Sequence, residues 1–343
     1  MNKQDLIKNS KRVVIKIGSA LLIESKTGKL QKNWLETLAF DIHNLINSGV
    51  EVIIVSSGSI ALGKKQLYLK DNLSLDEKQA AAATGQITLA HSWKETMSKY
   101  KLNVAQILLA PDDTETRRKH LNARATLIKL LDLNVIPVIN ENDTVSTEEI
   151  RFGDNDRLAA RVAQMCSADL LVLLSDINGL YSSDPNKNKD SVFIDEITEI
   201  NSEIECMAGP TNTSVSSGGM ITKIEAAKIC MDAGCNMLIG SGTKNNPIQK
   251  MIKNKKFTWF VPKINSHNAK KRWIMGTIKT KGSIFVDQGA ARAIINGKSL
   301  LPVGIINTSG TFQRGDTVSI FSDHKKKLGT GVTVGAFSFI GKG

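Results

Sequence analysis

Two runs far apart in the chain carry the residue types that grip phosphate. One is Lys16-Ile17-Gly18-Ser19, and the other is Ser216-Ser217-Gly218-Gly219-Met220-Ile221-Thr222-Lys223. Each offers backbone N–H groups, a hydroxyl and a lysine, which together suit phosphate oxygens. Between them lie Asn140-Glu141-Asn142-Asp143 and Gly153-Asp154-Asn155-Asp156. Carboxylates interleaved with amides suit a metal ion or the ammonium group of a zwitterion. The combination points to phosphoryl transfer from a nucleotide to a small acidic molecule.

Each cluster also has a plainer reading. Lys16 could be an edge-strand lysine, although an ammonium inside an apolar strand must reach a partner or solvent, because burial without one is costly. Lys223 could be a solvated lysine in the first turn of a helix, where the dipole disfavours a cation unless an anion is near. The acidic segments could be solvated loops. A further run, Gly58-Ser59-Ile60-Ala61-Leu62-Gly63-Lys64-Lys65, fits the pattern G-x-x-x-x-G-K after a strand, with Asp176 in the place of a metal-holding aspartate. A P-loop needs Ser or Thr where Lys65 stands. The reading adopted is that Ser56-Ser57-Gly58 presents donors to a substrate at a strand end.

The elements that must position these residues follow from periodicity. Residues 12–17 read as a short buried strand, and Leu35, Leu38, Ile42, Leu45 and Ile46 repeat at helical spacing before Gly49, placed as a C-cap glycine. Strands are expected at 50–55, 104–109, 135–139, 170–174 and 237–239, and helices near 74–100, 118–131, 156–166 and 220–233. This alternation predicts an α/β fold, a mostly parallel sheet sandwiched between helices. Ligands of such sheets bind outside the carboxyl ends of the strands, where the polar clusters fall. From Phe257 to Arg272 the alternation stops, and that stretch reads as a linker. Short β-type runs at 283–287, 304–307 and 317–321 then predict a small β-rich domain.

Composition narrows the function. The chain has 343 residues, 41% hydrophobic and 23% charged, long enough for one large and one small domain. No apolar run is long enough to span a bilayer, and Met1 to Arg12 lacks the apolar stretch of a secretory signal, so no membrane partner and a cytoplasmic location are expected. Cys166, Cys206, Cys230 and Cys235 have no zinc-ligand or C-x-x-C spacing and read as reduced structural thiols. No protein metal site is indicated. The net charge of +12 is uneven: residues 244–343 hold 18 Lys and Arg against 3 acidic residues, while residues 1–243 hold 27 against 30. A slightly acidic front part and a strongly basic tail should not share one binding role.

The segments VVIKIGSALL, VIIVSSGSIALG, LNARATLIKLL, VIPVINENDTV, FGDNDRLAARVA, LVLLSDINGLY and SSGGMITKIEAA resemble the bacterial glutamate 5-kinases of the amino acid kinase family over roughly residues 10–260. NEND followed by GDND is the most specific part of the match. The resemblance implies that Lys16 and Lys223 bind the transferred phosphoryl group and that Asp156 orients them. It implies glutamate-binding roles for Ser57, Asp143 and Asn155. It assigns nucleotide binding to Lys16, to Ser175 and Asp176, and to Ser217, Gly218, Gly219, Met220, Ile221, Thr222 and Lys223. The implied reaction is attack of the L-glutamate γ-carboxylate on ATP, with Mg²⁺ present, on the route to proline. Proline as feedback inhibitor and a homo-oligomer, dimer or tetramer, are also implied. The implied domains are 1–260 for the kinase and 271–343 for the tail.

That tail, from Lys271-Arg272-Trp273 through Leu300-Leu301-Pro302, resembles a PUA domain, an RNA-binding fold. Its charge suits phosphate contacts, yet no aromatic-rich stacking surface is legible. After Gly329-Thr330-Gly331-Val332 the usual helix and closing strand are missing, so this PUA-like domain is expected to be C-terminally incomplete. Three readings therefore stand: a glutamate kinase; another member of the family acting on acetylglutamate, aspartate, carbamate or a nucleotide; or an RNA-binding protein with a vestigial kinase fold.

Overall fold

Arg12-Val13-Val14-Ile15-Lys16-Ile17 favours extended backbone because its β-branched side chains fit a pleated surface better than a helix. In this computed structural model, which describes residues 6–24, 27–145, 155–185, 187–208, 219–263, 282–296, 298–312, 316–323 and 326–333, that run is strand β1 (Arg12–Ile17). It is followed by β2 (Glu51–Ser56), β3 (Asn103–Leu109), β4 (Val135–Glu141) and β5 (Leu170–Ser175). A two-stranded hairpin comes next, β6 (Leu180–Tyr181) with β7 (Phe193–Ile194), and then β8 (Glu196–Ile197), β9 (Asn236–Ser241) and β10 (Phe257–Phe260). The main sheet has the order β3-β4-β2-β1-β5-β9-β10-β8. Its neighbours are parallel except β10, which runs antiparallel to β9.

β1 lies inside this sheet, with Lys16 paired to Val55 on one side and Leu173 on the other. The chain winds to one side of β1 through β4 and to the other side from β5. Such a change of winding direction opens a crevice at the carboxyl ends of the strands. The edge-lysine reading of Lys16 is therefore excluded.

Alternation along β1 divides the interior into two cores. Val13, Ile15 and Ile17 face the helices Lys32–Asn47, Leu75–Ser98 and Pro247–Asn254. Val14 faces the helices Arg117–Asp132, Asn155–Cys166 and Met220–Asp232. Lys16 is two residues from Val14 and so shares its face. The first turns of helices Asn155–Cys166 and Met220–Asp232 bring Asp156 and Lys223 to that face.

The glycines of the P-loop-like run have a packing role. Gly58 has φ +114°, a conformation that suits glycine, and caps the helix Ser59–Gln66. A Cβ on Gly63 would lie 1.7 Å from the Ala81 carbonyl oxygen, and one on Gly85 would lie 1.9 Å from the Ser59 carbonyl oxygen. Helices Ser59–Gln66 and Leu75–Ser98 thus cross with their backbones in contact. Each helical glycine costs about 1 kcal/mol in propensity, and the close approach it permits is the return.

The stretch read as a linker begins later than expected. Phe257, Thr258, Trp259 and Phe260 are all buried and form β10 within the main sheet, since four such side chains lose more by facing water than by pairing. Residues 264–281, including Trp273, lie outside the described residues. From Gly282 a second sheet follows: β11 (Gly282–Val286), β12 (Ile305–Gly310), β13 (Thr317–Ser322) and β14 (Lys327–Val332), in the order β12-β11-β13-β14. Ile284, Val286, Ala291, Phe312, Val318 and Ile320 form its core, under the helix Gln288–Ile295. On the other face Phe285 and Phe321 stack with centroids 5.4 Å apart, because β11 and β13 pair them in register. The sequence concealed this aromatic pair, whose members are far apart along the chain. The expected truncation concerns residues 334–343, which are outside the described ones.

Candidate active site

A cavity of about 510 Å³ opens at the carboxyl ends of β1, β2, β4 and β5. Its lining includes Lys16, Ser57, Asn140, Asp143, Asn155 and Lys223. Two walls of different character meet there.

The first wall is charged. Lys16 Nζ lies 2.6 Å from Asp156 Oδ1, and Lys223 Nζ lies 3.0 Å from Asp156 Oδ2. The Thr222 hydroxyl lies 3.1 Å from Asp156 Oδ2 and 2.8 Å from the Gly219 carbonyl oxygen. Asp156 is fully buried, while both lysines line the cavity. Burial alone would push the Asp156 carboxyl up, but the Lys16 and Lys223 ammonium groups outweigh it and hold the carboxyl below its ordinary value. The N-terminus of helix Asn155–Cys166 also favours a carboxylate in its first turn. Two positive charges backed by one negative charge leave a net positive site facing the cavity, which suits a polyanion. The solvated-helix reading of Lys223 is excluded, since its side chain is only 8% exposed.

The second wall is built mainly of neutral amides and hydroxyls, to which Glu141 and Asp143 add carboxylates at the cavity. Asn155 Nδ2 donates to Ser57 Oγ at 2.7 Å and to Asn140 Oδ1 at 2.8 Å. Asn140 Nδ2 donates to Gln86 Oε1 at 2.8 Å and to Ser59 Oγ at 3.1 Å. Ser59 Oγ lies 3.4 Å from Asp143 Oδ2, which carries the network to a carboxylate at the cavity. Beneath it, Trp93 Nε1 donates to Ser56 Oγ at 3.0 Å. Asp143 thus joins Ser57 and Asn155 through Ser59 and Asn140 rather than directly.

Of the nucleotide residues expected from the sequence, Ser175 and Asp176 line the cavity, with Ser175 Oγ 3.0 Å from Asp176 Oδ1. Gly219, Met220, Ile221 and Thr222 form the cap and first turn of helix Met220–Asp232 and do not line it. Ser217 and Gly218 lie outside the described residues. Sequence reasoning missed Gln86 and Trp93. Their helix is alanine-rich with no clear apolar stripe, so nothing marked these two positions as reaching a site; the helical glycine Gly85 was the one available sign.

The fold and this pair of walls set a cationic anchor beside a polar wall of amides and hydroxyls in one α/β crevice, an arrangement suited to phosphoryl transfer. Residues 11–241 match the amino acid kinase family and residues 282–334 match the PUA domain, and the chain belongs to the amino acid kinase family. It is 53% identical over 323 residues to glutamate 5-kinase of Paramagnetospirillum magneticum, covering 94% of this chain and 87% of that protein. It is 50% identical over 323 residues to glutamate 5-kinase of a Rhodopseudomonas palustris strain, covering 94% and 86%. Among solved structures, a carbamate kinase from Giardia lamblia bound to AMP-PNP aligns with a TM-score of 0.54 at 18% identity, over 74% of this chain and 99% of that one. A UMP kinase from Bacillus anthracis aligns at 0.53 and 15% identity, over 74% and 97%. The two solved structures share the fold.

Proposed function

We propose that this chain is a glutamate 5-kinase, transferring the γ-phosphoryl group of ATP to the γ-carboxylate of L-glutamate, the first step of proline biosynthesis. The observation that carries the reading is the meeting of Lys16 and Lys223 on one buried carboxylate, beside an amide-lined pocket, in a chain about half identical to proteins of that name.

The acceptor is already an anion and needs no general base, so catalysis reduces to alignment and charge neutralisation. Asp156 holds the two ammonium groups toward the cavity, and they neutralise the migrating phosphoryl group. Ser175 and Asp176 sit where nucleotide would enter, at the end of β5. Among the described residues no three His, Cys, Asp or Glu gather as a metal cage. A Mg²⁺ ion brought in with ATP would supply further neutralisation of phosphate charge. On the neutral wall, Ser57 and Asn155 meet the substrate, and Asp143 supports its ammonium group. The Gly58 to Ile60 backbone at the start of helix Ser59–Gln66 suits the α-carboxylate. Proline shares the α-carboxylate and the ammonium nitrogen, so inhibition competitive with glutamate is part of the proposal.

A cytoplasmic site of action follows from this substrate pair, and among the described residues no helix is long and apolar enough to cross a membrane. A dimer or tetramer is expected, to be read by light scattering. For the C-terminal sheet, the Phe285–Phe321 stack and the basic surplus favour an RNA contact; absence of RNA retention on filters at low salt would remove it. The enzymatic reading is tested by coupled ADP release with glutamate, acetylglutamate, aspartate, carbamate and UMP. Turnover with glutamate far above the others is expected, and preference for any other acceptor overturns it.

A further inference from the structure

The neutral wall has a direction, and its origin lies outside the cavity. An amide side chain presents a donor at one end and an acceptor at the other, so a chain of amides must agree on which way each one points. Gln86 Oε1 accepts from Asn140 Nδ2, and that bond turns Asn140 Oδ1 toward Asn155. Asn155 then spends Nδ2 on Asn140 Oδ1, on Ser57 Oγ and, more weakly, on the Ser56 carbonyl oxygen at 3.4 Å. Two consequences reach the cavity. Asn155 Oδ1 holds no hydrogen bond among the described residues and remains an acceptor for an ammonium group. Ser57 Oγ, occupied as an acceptor by Asn155, keeps its proton to donate to a substrate oxygen.

We propose that Gln86 is the positioning residue that sets this polarity and thereby tunes the pocket for a zwitterionic amino acid. Gln86 is itself nearly buried and is not part of the cavity lining. It comes within reach of Asn140 because Gly85, the residue before it, lets helix Leu75–Ser98 pack directly on the Ser59 carbonyl. Without an acceptor at position 86, Asn140 Nδ2 keeps only Ser59 Oγ below it. The present orientation of Asn140 then loses one of its three hydrogen bonds, and its preference over the flipped one falls accordingly. The flipped form presents Nδ2 to Asn155 Nδ2, donor against donor, and drives Asn155 to reverse as well. Reversal would offer a donor to the substrate's ammonium and an acceptor to its carboxylate, both repulsive.

The inference rests on the glutamate reading, and the wild-type enzyme is its control: no turnover of glutamate by wild type refutes that reading, not this one. Gln86→Met keeps the length of the side chain and removes the acceptor. Gln86→Glu keeps an acceptor. Steady-state kinetics with each substrate varied should show the glutamate KM of Q86M raised about tenfold, the loss of roughly one buried hydrogen bond. Its ATP KM and kcat should stay within about twofold, since the charged wall is untouched. Q86E should keep the glutamate KM within about twofold of wild type. Equal behaviour of the two variants, a Q86M that loses kcat and ATP affinity together with glutamate affinity, or a Q86E with a tenfold rise overturns the proposal. If Q86M fails to fold, the Q86E result decides alone.

Discussion

The two walls of the cavity use opposite means to hold charged ligands. The charged wall keeps three ionised groups out of water and balances them against each other, with Asp156 touching both lysines. The neutral wall holds its amides and hydroxyls in one sense through hydrogen bonds alone, from Gln86 through Asn140 to Asn155 and Ser57. A transferred phosphoryl group carries the same charge in every kinase, so strong, undirected cations serve it. An amino acid must be told from similar anions, which asks for directed donors and acceptors. Damage to the charged wall should therefore fall on turnover, and damage to the neutral wall on glutamate affinity.

The largest effect is expected from breaking the charged wall. Lys16→Ala or Lys223→Ala should lower kcat by about 10²–10³, in line with loss of one preorganised electrostatic group, with the glutamate KM changed far less. A variant that kept near-full kcat would erase the distinction between the walls. Asp156→Asn leaves two ammonium groups without their shared counter-charge, and should cost about 3–5 kcal/mol of folding stability, read as a shift in urea midpoint. The sign of the pH dependence follows from the lowered carboxyl value. The contribution of Asp156 is complete above the ordinary carboxylate range and is lost as pH falls through the folded-state value. Wild type and D156N should therefore converge in stability only in acid; a gap unchanged from neutral to strongly acidic pH would show that Asp156 is not ionised.

Smaller effects sharpen the neutral side. Gly63→Ala places a methyl against the Ala81 carbonyl and should destabilise by about 1–3 kcal/mol in thermal or urea melts. A neutral outcome would mean that the two helices are not in contact. Ser57→Ala should raise the glutamate KM about tenfold, the loss of a single donor, with ATP KM unchanged. A fall in kcat with no change in KM would move Ser57 to the charged wall.

Much of this organisation was legible in the sequence because it rests on local pattern. The apolar run around Lys16, the Gly-rich entry to Lys223 and the Asn-Asp clusters each follow or open a regular element, and the winding rule for parallel sheets sends strand ends to one crevice. Lys16 and Lys223 could be paired in advance, and the structure brings them to one carboxylate. What stayed hidden depends on contacts distant in sequence. Gln86 meets Asn140 only because two glycines on different helices, Gly63 and Gly85, coincide at a crossing. Thr258 and its neighbours looked like the start of a linker, because a four-residue buried strand is too short to show periodicity. The P-loop pattern at Gly58 to Lys65 could be set aside in the sequence on Lys65, but the reason for its second glycine, the packing of Gly63 against the Ala81 carbonyl, could not be read there.

The most direct test of the convergent lysines is a crystal structure of the enzyme with glutamate, MgADP and tetrafluoroaluminate, the last standing in for the phosphoryl group in flight. Lys16 Nζ and Lys223 Nζ should both lie within about 3 Å of fluorine atoms of the same aluminate. A complex in which either nitrogen points to a separate cavity, with the aluminate held by other groups, would contradict the assignment.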